Sequence, residues 1–133
     1  MKLLDFCKEL ENHIISAYEE GCTIEEAEKL ASKFLHGQLQ VSAALKESDL
    51  SARMRKSGLK AVRAAVYTDI KSKGEKLTVD AMEHSLNMND LVCGEQDALD
   101  NAEVDRDDLK RYYDIFQNAH IFFRGIAKGN FGG

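Results

Sequence analysis

Proline is absent from all 133 residues of this sequence. Because proline removes a backbone donor and clashes with the preceding helical turn, a chain without it can form long helices. Glycine occurs only nine times, and the residues with high helix propensity, alanine, leucine, glutamate and lysine, are common. The hydrophobic fraction of 44% and the charged fraction of 31% are typical of a folded chain. The sequence therefore predicts an all-α protein.

Length limits the number of domains, because 133 residues can bury one hydrophobic core without disulfides or metal. We expect a single helical domain over 1–133. It would contain an N-terminal helix (1–21) that can be peripheral, a helical core (23–128) and a frayed tail (129–133). Three cysteines at unrelated spacings indicate a reduced, cytoplasmic protein. No apolar run approaches the roughly 18 to 20 residues that cross a bilayer, so no membrane partner is expected.

Apolar spacing and capping residues predict four to five helices in an elongated antiparallel array. The first helix extends from about Leu3 to Tyr18 and stops at Gly21. The second begins at Thr23, which forms a capping box with Glu26. Residues 47–49 either break this segment or form a solvated turn, and the helical pattern then continues to about residue 72.

A polar loop over 73–76 precedes a fourth segment that Thr78 caps. Gly94 argues against an unbroken helix there, and Asp105 is expected to cap the last helix, which ends at Gly129. That last helix is apolar on more than one face, which favours burial against other copies of the chain. We therefore expect a homo-oligomer, with an interface formed by Leu109, Tyr112, Tyr113, Phe116, Phe122, Phe123 and Ile126.

A basic segment stands out in a chain whose net charge is −5, because residues 51–76 contain eight Lys or Arg and two acids. On a helical wheel Arg53, Lys56, Lys60 and Arg63 fall within an arc of about 80° and form a stripe. The other side of the helix is expected to be buried through Leu50, Met54, Ala61, Val62, Ala65 and Val66. The candidate nucleic-acid-binding residues are Arg53, Lys56, Lys60, Arg63, Lys71, Lys73 and Lys76.

The basic stripe has three interpretations. It can be a solvated helix face, paired with the acidic stretch 80–108, which holds ten acids and one Arg. It can bind phosphates, since cations spaced along a helix neutralise a nucleic-acid backbone and release its counterions. It can also bind an acidic protein surface.

Enzyme signatures are missing from the sequence. The four His residues, His13, His36, His84 and His120, are scattered and predict neither a metal site nor a catalytic base. The acidic run over 95–108 lacks the glycine and the terminal glutamate of a calcium loop. No Gly-rich phosphate loop, nucleophile elbow or carboxylate pair is present, so we expect no enzyme, no cofactor and no metal.

A family resemblance extends over about residues 40–128. In order, the chain contains LKAVRAAVY, a short polar loop, LTVDAMEHSLNMNDLVCGEQDALDNAEVD and then LKRYYDIFQNAHIFFRGIAKG. This layout resembles that of the phage UvsY recombination mediators. The resemblance implies a helical fold, a ring of identical subunits, and binding of single-stranded DNA without catalysis. It also implies that the protein loads a recombinase onto DNA covered by single-strand-binding protein.

The most distinctive element of that family is a Leu-Lys-Ala-Arg motif whose basic residues contact DNA. Leu59-Lys60-Ala61 matches the motif, but Val62 intervenes before Arg63. Lys60 therefore carries over directly, and Arg63 carries over if one helical step is tolerated. Two functions stay open: a recombination mediator that binds single-stranded DNA, or an oligomeric protein-interaction module, such as a small phage-type inhibitor or assembly factor, that binds an acidic partner.

Overall fold

The computed structural model describes residues 2–74 and 76–129, which form four α-helices and no strand. The helices are α1 (Lys2–Glu20), α2 (Ile24–Ser72), α3 (Val79–Met88) and α4 (Asp90–Ala127). The predicted all-α class is thus confirmed. The part of the predicted frayed tail that follows Gly129 lies outside the described residues. None of the helices in the described ranges is long and apolar enough to cross a membrane.

Several helix ends lie where the sequence predicted them. Gly21, with a φ of 77°, follows α1 in a conformation that L side chains rarely adopt. The Thr23 hydroxyl accepts a hydrogen bond from the Glu26 backbone N–H at 3.2 Å at the start of α2. The Thr78 hydroxyl accepts one from the Ala81 N–H at 3.1 Å and caps α3. Each cap supplies an acceptor to a backbone donor that has no partner within its helix.

Three predicted breaks are wrong. Residues 47–49 lie inside α2, and both Gly94 and Asp105 lie inside α4, so Asp105 is not a cap. The break in the second half of the chain falls instead at Asn89, whose backbone is extended. Its side-chain oxygen accepts hydrogen bonds from the N–H groups of Leu91 and Val92, at 2.9 and 3.2 Å, and so begins α4.

The chain divides into two compact units, and α2 and α4 contribute to both. The terminal unit comprises Met1–Lys46 and Asp107–Gly133, and the central unit comprises Glu47–Arg106. In the terminal unit, α1, the first half of α2 and the second half of α4 share one core. Its buried members are Cys7, Leu10, Ala27, Ala31, Phe34, Val41, Leu109, Tyr112, Phe116, Ala119 and Phe123.

Aromatic contacts hold the middle of this core. The ring of Phe34 on α2 is stacked on Phe123 of α4 at 5.6 Å and tilted against Phe116 at 5.7 Å, between ring centroids. Such pairs add to the stabilisation from apolar burial. Gly37 lets α1 and α4 approach α2 closely, since a β-carbon there would lie 2.7 Å from Leu10 Cδ1 and 3.3 Å from Phe116 Cδ2.

The expected oligomer interface needs correction for four of its seven residues. Leu109, Tyr112, Phe116 and Phe123 are at most 3% exposed and belong to the core of the terminal unit. Their apolar character is explained by packing within one chain. Tyr113 and Ile126 are partly buried against the same core, and Phe122 is 48% exposed.

The central unit has a smaller core, formed by Leu59 and Val66 of α2, Met82 and Leu86 of α3, and Val92 and Leu99 of α4. Val62 and Ile70 pack against it. The predicted apolar face of this part of α2 is therefore rotated from the true one: Leu50 and Met54 are 58% and 66% exposed, and Ala61 and Ala65 are also exposed. The buried positions of α2 instead recur at seven-residue steps, with Ala52, Leu59 and Val66 on one side of the helix.

Candidate nucleic-acid interface

The basic stripe lies on α2 within the central unit. Between residues 50 and 68 this helix carries five cations and no acid. The stripe runs beside the buried side of the helix, because Arg63 follows Val62 and precedes Val66, both of which contact the core. Lys60 and Lys56 lie one and two turns before it, further toward solvent, and both are exposed. The stripe thus has a paired edge and an open edge.

Arg63 forms the paired edge. Its guanidinium Nη2 donates to Glu83 Oε1 at 2.7 Å and Nη1 donates to Asn87 Oδ1 at 3.0 Å, both on α3. The Arg63 side chain is only 28% exposed. Two short bonds from one planar group fix its position. Arg63 therefore holds α3 against α2. Because its guanidinium is engaged in these two bonds, it is less available to contact a ligand.

Three other predicted cations have weaker contacts within their own helix or the turn after it. Arg53 pairs with Asp49 at 3.0 Å, Lys73 pairs with Asp69 at 3.4 Å, and Lys71 lies 5.3 Å from the centre of the Tyr67 ring. The Arg53 and Lys73 side chains are 77% and 69% exposed. Exposed pairs of this kind contribute little stability, so these cations can exchange their partners for a phosphate at small cost.

Lys56 and Lys60 form the open edge. Within the described part of the chain neither makes an ion pair or a side-chain hydrogen bond, and both are exposed. Their positions, four residues apart, place the two ammonium groups on one side of α2 about 6 Å apart along the axis. Lys76, in the turn before α3, is exposed as well. Lys56 and Lys60 are therefore the centre of the candidate site.

The acidic stretch 80–108 does not neutralise the stripe. Among the described residues, the one ion pair between the stripe and that stretch joins Arg63 to Glu83. Arg106 pairs within α4 with Glu103 at 3.5 Å. Most of the acids of α3 and α4 are exposed, and Glu83 is 59% exposed. Among the four members of the stripe, pairing with this acidic stretch is therefore observed for Arg63 alone.

Tyr67 is a candidate that the sequence reasoning missed. It lies two turns after Lys60 on α2, is 40% exposed, and carries the Lys71 ammonium over its ring. An aromatic ring beside a row of cations is the arrangement on which unpaired bases stack. The signal was available in the sequence, because a spacing of seven residues returns to the same side of a helix. The aromatics of α4 are mainly core residues.

The chemistry of this surface is that of cations and one aromatic ring. Its members are Lys, Arg and Tyr, so they can bind an anion and stack on a base. No group of three His, Cys, Asp or Glu residues that could hold a metal occurs among residues 2–74 and 76–129.

No family model matches this sequence, and no match was found among curated proteins or solved structures. The function proposed below therefore depends on the chemistry of the basic stripe and on the resemblance described above.

Proposed function

We propose that this protein is a non-enzymatic accessory protein of phage-type DNA recombination that binds single-stranded DNA through the basic stripe. The observation that carries the proposal is the open edge of α2, where exposed Lys56 and Lys60 lie on one side of a helix that has no acid between residues 50 and 68. Lys60 is also the residue that matches the family's DNA-contacting motif directly. The protein would act in the cytoplasm of a bacterial or phage-infected cell.

Phosphate binding explains why cations are concentrated here in an acidic protein. Residues 51–76 carry a charge of +6 (eight cations minus two acids), while the whole chain is at −5. Each phosphate that a Lys or Arg neutralises releases condensed counterions from the polyanion, and this release favours binding. Arg53, Lys71, Lys73 and Lys76 extend the surface along α2 and into the following turn. Because Arg63 is held by α3, the phosphates contact the other cations of this surface. We expect about four phosphate contacts for each chain.

Tyr67 supports a preference for single strands. Its exposed ring can stack on a base only if that base is unpaired and turned outward, and stacking does not depend on which base it is. Phosphate contacts carry no base identity either. The protein should therefore bind single strands of different sequence about equally, and should bind duplex DNA more weakly.

The resemblance to UvsY mediators adds partners to this proposal. It implies a homo-oligomer of the chain and contact with a recombinase or a single-strand-binding protein. The antiparallel array of the helices is a separate expectation, from the apolar spacing. Self-association is supported by Leu50 and Met54, which are 58% and 66% exposed and lie together, one turn apart, on the central unit's part of α2. Exposed apolar groups that lie together on a surface indicate an interaction site.

The alternative is an oligomeric protein-interaction module, such as a small phage-type inhibitor or assembly factor, that binds an acidic protein partner. The same apolar residues favour it, because phosphate binding does not need Leu50 or Met54. The two proposals differ in their ligand: the alternative predicts an acidic protein surface on the stripe and no affinity for free oligonucleotides.

A direct binding measurement separates them. Fluorescence anisotropy at low salt would compare a pyrimidine single strand, a mixed-sequence single strand and a duplex of equal length. We expect the two single strands to bind equally and the duplex to bind several-fold more weakly. No binding of any oligonucleotide at low salt would remove the nucleic-acid proposal and leave the protein-partner alternative.

A further inference from the structure

A groove crosses the central unit between α2 and α4, on a part of the surface that the basic stripe does not use. It has a volume of about 440 Å³ and is lined by Leu50, Met54, Arg55, Gly58 and Glu95, with Glu47 at one end. Leu50, Met54 and Gly58 follow one another at four-residue steps and so share one side of α2. We refer to it as the Gly58 groove.

Gly58 belongs to the lining of the groove and lies well inside α2, without a positive φ. A β-carbon at this position would lie 3.5 Å from Glu95 Oε2 on α4, which is an ordinary van der Waals contact. Because Gly58 has no side chain, Leu50 and Met54 are the apolar side chains of the lining.

Both signs of charge surround the apolar part of the groove. Arg55 contributes a positive charge to its lining, and Glu47 and Glu95 contribute negative charges. Among the described residues none of these three forms an ion pair or a side-chain hydrogen bond, although Arg55 and Glu95 line the same groove. Their charges are thus available to a partner.

We infer that the Gly58 groove is a two-fold interface that binds the same groove of a second copy of this chain. A two-fold interface places one patch against itself, so it needs a patch that is complementary to itself. Arg55 of each copy would pair with Glu95 of the other copy. Leu50 and Met54 of one copy would pack against Leu50 and Met54 of the other, next to Gly58. A purely acidic or purely basic partner would satisfy only one of the two signs, which is why a second copy fits best.

This interface deepens the proposed self-association and leaves the stripe exposed. Lys56, Lys60 and Tyr67 do not line the groove. A dimer formed through it would carry two basic stripes, and the second stripe would bind the same strand as an intramolecular step. The inference rests on the proposed self-association and not on DNA binding, so it can be tested with the protein alone.

The test is sedimentation equilibrium of the full chain over a wide concentration range, without nucleic acid. We expect the wild type to dimerise, and R55E and E95R each to weaken the dimer at least about tenfold, because each places like charges opposite one another. The double variant R55E/E95R restores the opposite-charge pairs and should recover most of the wild-type affinity. Circular dichroism verifies that each variant keeps its helix content.

Matched controls come from the same helices. D97R reverses an exposed charge two residues from Glu95 but outside the groove, and V104S removes an exposed apolar side chain of α4 outside the groove. D97R and V104S should dimerise like the wild type. A wild type that has single-chain mass at every concentration, single reversals without effect, or a double reversal as weak as the singles would each overturn the interface. Each of these outcomes concerns self-association alone, and a single chain still carries the basic stripe, so a failure here leaves the DNA-binding proposal standing.

Discussion

The guanidinium of Arg63 on α2 donates to the Glu83 carboxylate on α3 at 2.7 Å, and this contact fixes the short helix against the long one. α3 has only ten residues and two buried side chains, Met82 and Leu86. An isolated helix of that length is marginal in water, so contacts from α2 supply its stability. Arg63 is consequently a structural member of the stripe, and Lys56 and Lys60 are the members that a ligand can reach.

Replacing Arg63 with alanine should destabilise the protein. The variant loses two hydrogen bonds to α3, and we expect the free energy of unfolding to fall by about 1 kcal/mol, since Glu83 remains solvated after the change. K60A, three residues earlier on the same helix, removes an unpaired exposed cation and should change stability by less than about 0.5 kcal/mol. Urea unfolding followed by circular dichroism measures both. Equal stability of the two variants would show that the Arg63–Glu83 contact is energetically unimportant.

Gly37→Ala tests the close packing of the terminal unit. Alanine favours the helix by about 1 kcal/mol, but its β-carbon would lie 2.7 Å from Leu10 Cδ1, and overpacking a buried site costs about 1 to 3 kcal/mol. We expect a net loss of about 1 kcal/mol in urea unfolding. Gly94→Ala is the matched control, because Gly94 is also helical and nothing lies within 4 Å of its β-carbon position.

Gly94→Ala should therefore stabilise the protein, by up to about 1 kcal/mol. Combining Gly37→Ala with Leu10→Ala should cost less than the sum of the single changes, because the new methyl group enters the space that Leu10 leaves. The opposite finding, that Gly37→Ala stabilises as much as Gly94→Ala, would mean that the α1–α2–α4 packing is looser than described.

The helix class and several helix ends could be predicted from local chemistry. Thr23 and Thr78 cap because a hydroxyl acceptor satisfies free backbone donors, and Gly21 ends α1 because it accepts a positive φ. These effects depend on a few neighbouring residues. The break at Asn89 is equally local, because its side-chain oxygen accepts hydrogen bonds from the first free N–H groups of α4.

The wrong predictions concern features that depend on packing between residues far apart in the sequence. Residues 47–49 stay helical because extending a formed helix is cheap and Asp49 pairs with Arg53 one turn later. The buried side of α2 was placed on Leu50 and Met54, whereas α3 and α4 cover Leu59 and Val66. Likewise Phe116 and Phe123 are apolar because Phe34 packs against them, a contact between residues far apart in sequence. The stripe could be predicted from its spacing, but the pairing of Arg63 with α3 could not.

Cys7 should make stability depend on alkaline pH. Its burial, and next the Glu11 carboxylate, raise the pKa of the thiol from 9.0 to about 11. Between those values the unfolded chain loses the proton and the folded chain keeps it, so stability falls as pH rises from about 9 to about 11 and is unaffected below 9. The difference in unfolding free energy between wild type and C7A should narrow from pH 7 to pH 10. The exposed-cysteine variant C93A serves as control, and an unchanged difference for C7A would contradict the raised pKa.

Tyr67→Ala should weaken binding of single-stranded DNA if the ring stacks on a base. Stacking contributes about 1 to 3 kcal/mol for each base, so we expect a loss of at least about fivefold in affinity, with little change in salt dependence. Tyr67→Phe keeps the ring and should bind like the wild type. Anisotropy titrations at fixed salt measure the affinities. A Tyr67→Phe variant as weak as Tyr67→Ala would assign the effect to the hydroxyl and not to stacking.

The most direct test of the basic stripe is the salt dependence of oligonucleotide binding by the wild type and two matched variants. K56A/K60A removes the open edge of the stripe. K29A/K33A removes two exposed lysines with the same spacing from the part of α2 that belongs to the terminal unit. About four phosphate contacts predict a log–log slope near −3 for the wild type and K29A/K33A, and a slope flatter by about 1.4 for K56A/K60A. Identical slopes for the two double variants would contradict the assignment of single-stranded DNA binding to Lys56 and Lys60.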